Sequence, residues 1–439
     1  MAVSATAKQD TETLSQRWPW VETRVWTERM LAALENGVQG GKWFSLYDKV
    51  WRLEVLEAAW QRVKRNRGAA GVDRISIERF AAHAEDYLEE LSEALRTGCY
   101  QPQPVRRIEI PKGDGKTRPL GIPTVKDRIV QAALKSVMEP IFERRFLDLS
   151  YGFRPGRGAK DALREVNQRL AEGECWVVDA DIQGYFDHIP HNGMMARIAE
   201  DISDGPVLRL LRNFLEQDIL AETQCWTPTQ GTPQGAVLSP LLANLYLHPL
   251  DERITAAGHR MVRYADDFVI LCRSREEAEC ALERVRSWMD QNGLVLHPDK
   301  THVGDCREVG QGFEFLGYRF EAGRRLVRRK SLNKLRDAIR KRTRRTAGLA
   351  IEEVIRKVNP VLRGWFEYFK HANQYTFDTL DAFVRRRLRA ILLKQNQQRG
   401  CANSKSASFR WKNAYFAERG LFSLHQAHVL ACQSRCGNH

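Results

Sequence analysis

Two sets of carboxylates in this chain have the types and spacing for phosphoryl-transfer chemistry. In Tyr264-Ala265-Asp266-Asp267, two adjacent acids sit between apolar runs, Met261-Val262-Arg263 before and Phe268-Val269-Ile270-Leu271 after. Carboxylates in such surroundings are unfavourable unless a cation or hydrogen bonds satisfy them, and side by side they repel each other and favour a divalent cation. On their own these four residues read better as the turn of an ordinary hairpin, where Asp is common. The second set, Val177-Val178-Asp179-Ala180-Asp181-Ile182, changes the balance. It reads as a strand in which Asp179 and Asp181 share a face, with Asp181 nearer the end and Asp179 in a supporting or solvent-facing role. One strand-terminal Asp with an Asp-Asp hairpin is what two-metal phosphoryl transfer needs, with two Mg2+ ions about 3.5–4 Å apart at the attacking and leaving oxygens. Oxygen ligands suit Mg2+.

The elements that must position these acids follow from pattern. Residues 1–44 are Trp-rich and polar with weak helical periodicity. Leu46 to Lys64 repeats apolar positions at helical spacing, a glycine-marked loop follows at 67–73, and Ser76 to Leu95 reads as a second amphipathic helix. Val105 to Pro123 reads as a hairpin around Gly113-Asp114-Gly115. Val125 to Phe146 reads as a helix. The strand through Cys175–Ile182 turns at Gln183-Gly184, and Thr232-Pro233-Gln234-Gly235 marks a loop before a helix from Leu238 to Leu250. Met261 to Arg273 reads as two short strands around a tight turn, Arg275 to Gln291 as a helix and Glu314 to Phe320 as one strand. Beyond Ser331 the chain reads as helical and basic.

Length, 439 residues, predicts two or three domains. Hydrophobic content of 43% and charged content of 28% fit a globular chain rather than a disordered or fibrous one. The longest apolar stretch, Ala236 to Leu250, is too short and too interrupted to span a bilayer, and the first residues lack a secretory apolar region; the expectation is a cytoplasmic protein with no membrane association. Net charge is +14, but residues 323–400 alone hold 22 Lys or Arg against 6 Asp or Glu. An excess so one-sided exceeds what i,i+4 pairing neutralises and is the footprint of a nucleic-acid surface. The nine cysteines read mostly as buried, reduced thiols. Cys432 and Cys436, near His425, His428 and His439, have zinc-ligand types but no second cysteine pair.

The ordered blocks IPK-turn-RPLGIP, DIQGYFDHI, TPQGAVLSPLLANLYL, RYADDFVIL, GLVLHPDKT and FEFLGY resemble the fingers and palm of bacterial group II intron reverse transcriptases over roughly residues 45–320. The resemblance implies an α+β, right-hand polymerase with an antiparallel catalytic sheet, followed by an all-helical thumb. It implies Asp181, Asp266 and Asp267 as catalytic carboxylates, with Ile182 beside them in the metal-binding set, and two Mg2+ ions as cofactor, with Mn2+ as substitute. By the same resemblance Phe186 lies under the incoming sugar and favours dNTP over rNTP, and Gln234 contacts the nascent pair. Lys112 and Arg118 grip the triphosphate, Arg as a fork and Lys as a point charge. Lys300 is either a proton donor near the pyrophosphate or a surface lysine. Leu316, Gly317 and Tyr318 resemble the primer grip.

Residues 362–369 and 378–388 resemble the maturase region of that family. Trp365, Phe366 and Phe369 have the spacing of core residues. The cations Arg328, Arg329, Lys330, Arg340, Lys341, Arg342, Arg344, Arg345, Arg363, Arg385, Arg386 and Arg387 are the expected RNA contacts. The implied organisation is an N-terminal extension (1–44), fingers and palm (45–322), a basic thumb/maturase domain (323–400) and a basic tail (401–439), a candidate DNA-binding remnant. No HNH-like string or paired C-x2-C follows Gly400, so no second-strand endonuclease is expected. The implied partners are group II intron RNA, an RNA template with DNA primer, dNTPs and target DNA. Competing readings are a domesticated relative in phage defence or DNA repair, an RNA-binding splicing factor with an idle polymerase, and a diversity-generating or retron enzyme, which the long basic segment disfavours. Oligomeric state stays open.

Overall fold

The computed structural model describes residues 17–38, 40–113, 116–398 and 400–436, without the side chains of residues 112, 113, 116 and 434–436. The chain divides into two compact units. The first comprises residues 1–166, 180–271 and 276–302, and the second 167–179, 272–275 and 303–439. Strands β1 (Val105–Gly113), β2 (Lys116–Ile122), β3 (Trp176–Asp181), β4 (Ile219–Ala221), β5 (Gln224–Trp226), β6 (Arg260–Tyr264), β7 (Asp267–Cys272), β8 (His302–Asp305), β9 (Phe313–Phe315), β10 (Tyr318–Glu321) and β11 (Arg324–Val327) form three sheets, ordered β2-β1-β4-β5, β6-β7-β3-β8 and β11-β10-β9. Most pairings are antiparallel; the short β1–β4 pairing is parallel.

In the first unit two helices are buried almost all round, Val125–Glu143 and Ser239–Ala256. A helix apolar on every side belongs inside a core, which explains the apolar run ending at Leu250. Leu53–Asn66 is amphipathic and buries Val55, Leu56, Ala59, Trp60 and Val63. The single helix expected from Ser76 to Leu95 is broken: Ile77–Ala82 ends at His83, whose backbone leaves helical geometry, and Ala84–Arg96 starts anew. In the N-terminal region, Trp26 is buried edge-on to Trp43, and its indole N–H donates to the Ser136 carbonyl at 3.0 Å. Among the described residues no helix is long and apolar enough to cross a membrane.

The second unit carries the β9–β11 sheet and the helices Arg329–Arg342, Ile351–Phe369, Gln374–Gln395 and Leu424–Cys436. Helix 351–369 buries a stripe of Val354, Ile355, Val358, Leu362, Phe366 and Phe369; of the three aromatics with core spacing, Phe366 and Phe369 are buried and Trp365 is only half-buried. Residues 401–436 are helical and docked. The Asp381 carboxylate accepts from the Ser423 hydroxyl at 2.7 Å and the Leu424 N–H at 3.0 Å, capping the last helix. Two expectations are corrected here. The strand from Glu314 to Phe320 is a hairpin, because Leu316 and Gly317 both adopt positive φ (48° and 85°) and pair Phe315 with Tyr318. That is the two-residue turn whose twist suits antiparallel strands. Among the described residues the cysteines are free but mostly not buried: Cys99, Cys225, Cys280, Cys401 and Cys432 are exposed, Cys175 is half-buried, and Cys272 and Cys306 are buried. Cys280 and Cys432 lie on exposed positions of helices and Cys225 on the short strand β5, where a small thiol is tolerated.

Candidate polymerase active site

The acidic turn is built by strand pairing. Val262 pairs with Val269, Arg263 with Phe268 and Tyr264 with Asp267, so Ala265 and Asp266 are the two central residues of a tight hairpin. Ala265 has φ of 60°, a position that ordinarily goes to glycine. The Ala265 carbonyl accepts from the Arg263 guanidinium at 3.0 Å, which holds the turn. Arg263 is fully buried, and its Nε donates to Asp251 at 2.8 Å and its Nη1 to Asn244 at 2.9 Å. Asn244 and Asp251, seven residues apart on helix 239–256, therefore fix the acidic hairpin from beneath.

Asp181 ends β3, and its backbone carbonyl accepts from the His297 N–H at 2.7 Å. The neighbouring Ile182 is buried and bridges to Leu296; its side chain has no donor atom, so only its carbonyl suits a metal. Lys300, for which the sequence left two readings open, reaches Asp181 with Nζ to Oδ2 at 2.6 Å. Burial pushes the Asp266 carboxyl above the usual carboxylate range, and the Asp181 charge adds to the rise; its own backbone hydrogen bond, Arg118 and Lys300 oppose it. The charges of Asp181, Arg118 and Lys300 thus all reach Asp266. Asp181 at the end of β3 and Asp266 in the β6–β7 turn bring carboxylate oxygens into one place, and such a hard-oxygen donor set fits a divalent cation such as Mg2+.

Arg118 and Gln234 come together from 116 residues apart, Nε to Oε1 at 2.6 Å. Glycines make this approach possible. The Gly121 N–H donates to the Gln234 carbonyl at 2.7 Å, and a Cβ on Gly235 would lie 2.6 Å from the Gly121 oxygen. The Gln234 amide also reaches Asp187 at 3.3 Å, a residue that sequence reasoning did not single out. Phe186 is buried in the short helix Tyr185–His188, its ring 5.6 Å from that of Tyr185. Lys112 lies on β1, and its side chain is outside the described residues.

In the second unit, Leu316 and Gly317 form the β9–β10 turn, whereas Tyr318 is core. Its hydroxyl donates to the Tyr368 carbonyl at 2.7 Å, and the Tyr368 hydroxyl donates back to the Leu316 carbonyl at 2.8 Å. The turn is thereby clamped to helix 351–369. The basic segment is unevenly committed. Arg328 pairs with Glu314, Arg340 with Asp337, and Arg385 lies 3.9 Å from Asp381. Arg363 stacks over Phe422 at 4.6 Å. Arg329, Lys330, Lys341, Arg342, Arg344 and Arg345 are exposed. Arg340, Arg345, Arg386, Arg387 and Lys394 line a cavity of about 810 Å³ whose lining holds no acid. Desolvation, then the charges of Arg345, Arg340 and Arg386, lower the Arg387 pKa, while Thr343 holds its fork at 3.0 and 2.8 Å. Such crowded cations favour an anion among them. The C-terminal cysteine pair is half visible: Cys432 Sγ lies 3.6 Å from His428 Nε2, His425 is engaged by Asp378 at 2.7 Å, and the side chain of Cys436 and all of His439 are outside the described residues.

Residues 110–320 match the reverse transcriptase (RNA-dependent DNA polymerase) family. By class, then, the chain is a template-directed nucleotidyltransferase, an RNA-directed DNA polymerase. Residues 332–411 match the group II intron maturase-specific domain, and with both matches the chain belongs to the reverse transcriptases of group II introns. It is 35% identical over 300 residues to Protein YkfC of Escherichia coli, covering 60% of this chain and 76% of that one. It is 31% identical over 364 residues to the group II intron-encoded protein LtrA of Lactococcus lactis, covering 68% of this chain and 59% of LtrA. A solved structure of telomerase from Candida albicans aligns over 79% of this chain and 69% of that one, with a TM-score of 0.42 and 11% identity.

Proposed function

We propose that the chain copies RNA into DNA by extending a DNA primer with dNTPs, and that it also binds group II intron RNA, promoting splicing and the return of the intron to target DNA. In this reading residues 45–322 are fingers and palm, and 323–400 the thumb and maturase region. The observation that carries it is the neighbouring of β3, which ends at Asp181, and β7, which begins at Asp267, with the Asp181 charge felt at Asp266, Lys300 on Asp181 and Arg118 on Gln234. Asp181, Asp266, Asp267 and the Ile182 carbonyl would hold two Mg2+ ions, which supply Lewis acidity at the attacking and leaving oxygens when bound. Arg118 presents a guanidinium fork for the triphosphate, held in position by Gln234. Lys300 carries a proton at Nζ, placed beside Asp181 to neutralise a leaving oxyanion. Phe186, five residues after Asp181, would be the wall against a 2′-hydroxyl, and the Gln234 amide would meet the nascent base pair.

Primer extension on an RNA template tests the polymerase, and splicing by an Asp266→Ala, Asp267→Ala variant separates it from the maturase role. Extension by the wild type, with splicing retained in the variant, is the expected pair of results; no extension by the wild type defeats the polymerase reading. The basic cavity gives a further prediction. Replacing Arg345 and Arg386 with Gln is expected to weaken RNA binding uniformly across sequences. It should also lower the slope of log K against log salt by about 1 for each residue that touches phosphate. Fluorescence anisotropy over a salt series measures it, and an unchanged slope would remove these residues from the RNA surface.

A further inference from the structure

The segment Ser150-Tyr151-Gly152-Phe153-Arg154 is pinned against the catalytic hairpin. The Tyr151 N–H donates to the Arg263 carbonyl at 2.9 Å, and the Arg263 N–H donates to the Leu149 carbonyl at 2.9 Å. The Asn244 amide donates to the Gly152 carbonyl at 2.7 Å. A Cβ on Gly152 would lie 2.4 Å from the Ala265 nitrogen, so only glycine allows the approach. On the far side Arg154 is buried, donates to the Ser150 carbonyl at 2.8 Å and pairs with Glu143 at 2.7 Å. Between these anchors Phe153 stands apart. Its φ is 60°, and it is 49% exposed where Tyr151, Gly152 and Arg154 are buried.

A phenylalanine is a poor choice for this place on grounds of folding. The left-handed region is strained for an aromatic residue and nearly free for Gly or Asn. The ring also exposes apolar surface where burial would have repaid it. A strained conformation that the surroundings over-determine is a mark of function. The ring lies 6.4 Å from that of Tyr264, tilted by 44°, and Tyr264 pairs with Asp267 across the turn that carries Asp266. We infer that Phe153 is a contact residue for the 3′-terminal nucleotide of the primer, its apolar face set against the last base or sugar beside the hairpin. The primer end is the partner because its 3′-oxygen must arrive at Asp266 and Asp267, so the nucleotide carrying it passes the aromatic group flanking their turn. Stacking of a base on an aromatic side chain is sequence-tolerant, which suits an enzyme that extends every base. The inference rests on the primer-extension reading above.

The test uses the full chain with Phe153→Gly and Phe153→Tyr. Phe153→Gly removes both ring and strain. It is expected to melt at or above the wild-type temperature while binding a recessed-3′ RNA–DNA template–primer about 10-fold more weakly, with binding of the template strand alone unchanged. Phe153→Tyr is expected to retain wild-type binding. Three results overturn the inference: binding of the recessed end by Phe153→Gly within twofold of wild type, a matching loss on the bare template strand, or a rise confined to the KM for dNTP. A fall in melting temperature with equal binding losses in both variants also overturns it, since the ring is then structural. The binding readout stands whether or not the wild type extends primers, so failure of the polymerase reading is seen separately, as absent extension.

Discussion

Asp266→Asn is expected to reduce primer extension by at least about 10³-fold, because it removes a full charge from the site where even one oriented dipole is worth about 10²–10³ in other enzymes. The same substitution is expected to raise the melting temperature of the metal-free protein. Asp266 is raised above the ordinary carboxylate range by burial first and by the Asp181 charge second, so its ionised form works against folding, and a neutral amide of the same shape is relieved of both effects. Mg2+ should then raise the melting temperature of the wild type, since a ligand that binds only the folded state stabilises it, and should do much less for Asp266→Asn. Thermal melts with and without Mg2+ check this beside the rate measurement. A variant that is less stable than the wild type without metal, or equally stabilised by Mg2+, would show that Asp266 is held by structure rather than reserved for a cation.

Arg263→Met is expected to be the most destabilising single change near the site. Arg263 and Asp251 are both fully buried, and removing one member of such a pair typically costs about 3–5 kcal/mol because the other charge is left uncompensated. That is a large part of the roughly 5–15 kcal/mol by which folded proteins are stable. The pH dependence has a definite sign. Burial already pushes the Asp251 carboxyl up, and the Arg263 charge opposes the rise; without Arg263 it rises further. A carboxyl raised in the folded state favours folding below its unfolded pKa and loses that contribution as pH climbs through the folded value. Arg263→Met should therefore regain stability relative to wild type on acidification. Arg263→Met with Asp251→Leu should recover most of the lost stability, since apolar replacements of buried ion pairs are often neutral or better. It should not recover extension, because Arg263 also holds the Ala265 carbonyl of the turn that carries Asp266. Denaturant titration and extension assays on the two variants decide; recovery of both properties would reduce Arg263 to packing.

The acidic hairpin was legible because strand alternation and a tight turn are local, and because Asp181 supplied a second strand-terminal acid. Its support was not. Arg263 reads as one more residue of an apolar strand, and its meaning depends on Asn244 and Asp251, which meet it only in the folded chain. The signal was present as an arginine amid Met261, Val262 and Phe268, where a charge must find a partner. Lys300 was undecided because a lone lysine carries no spacing; the approach of the 297–300 turn to Asp181 decides where it points. The β9–β10 turn was missed because Phe313 to Phe320 alternates like one strand and a leucine at positive φ leaves no mark; Gly317 was the available hint. The segment around Phe153 went unread, since nothing in its composition reveals the strain on an aromatic residue.

The most direct test of the central claim is extension of a labelled DNA primer on an RNA template with dNTPs and Mg2+, by the wild type and Asp181→Asn in parallel. Full-length, template-dependent DNA is expected from the wild type and none from the variant. Equal extension by both, or none by either correctly folded protein, would contradict it.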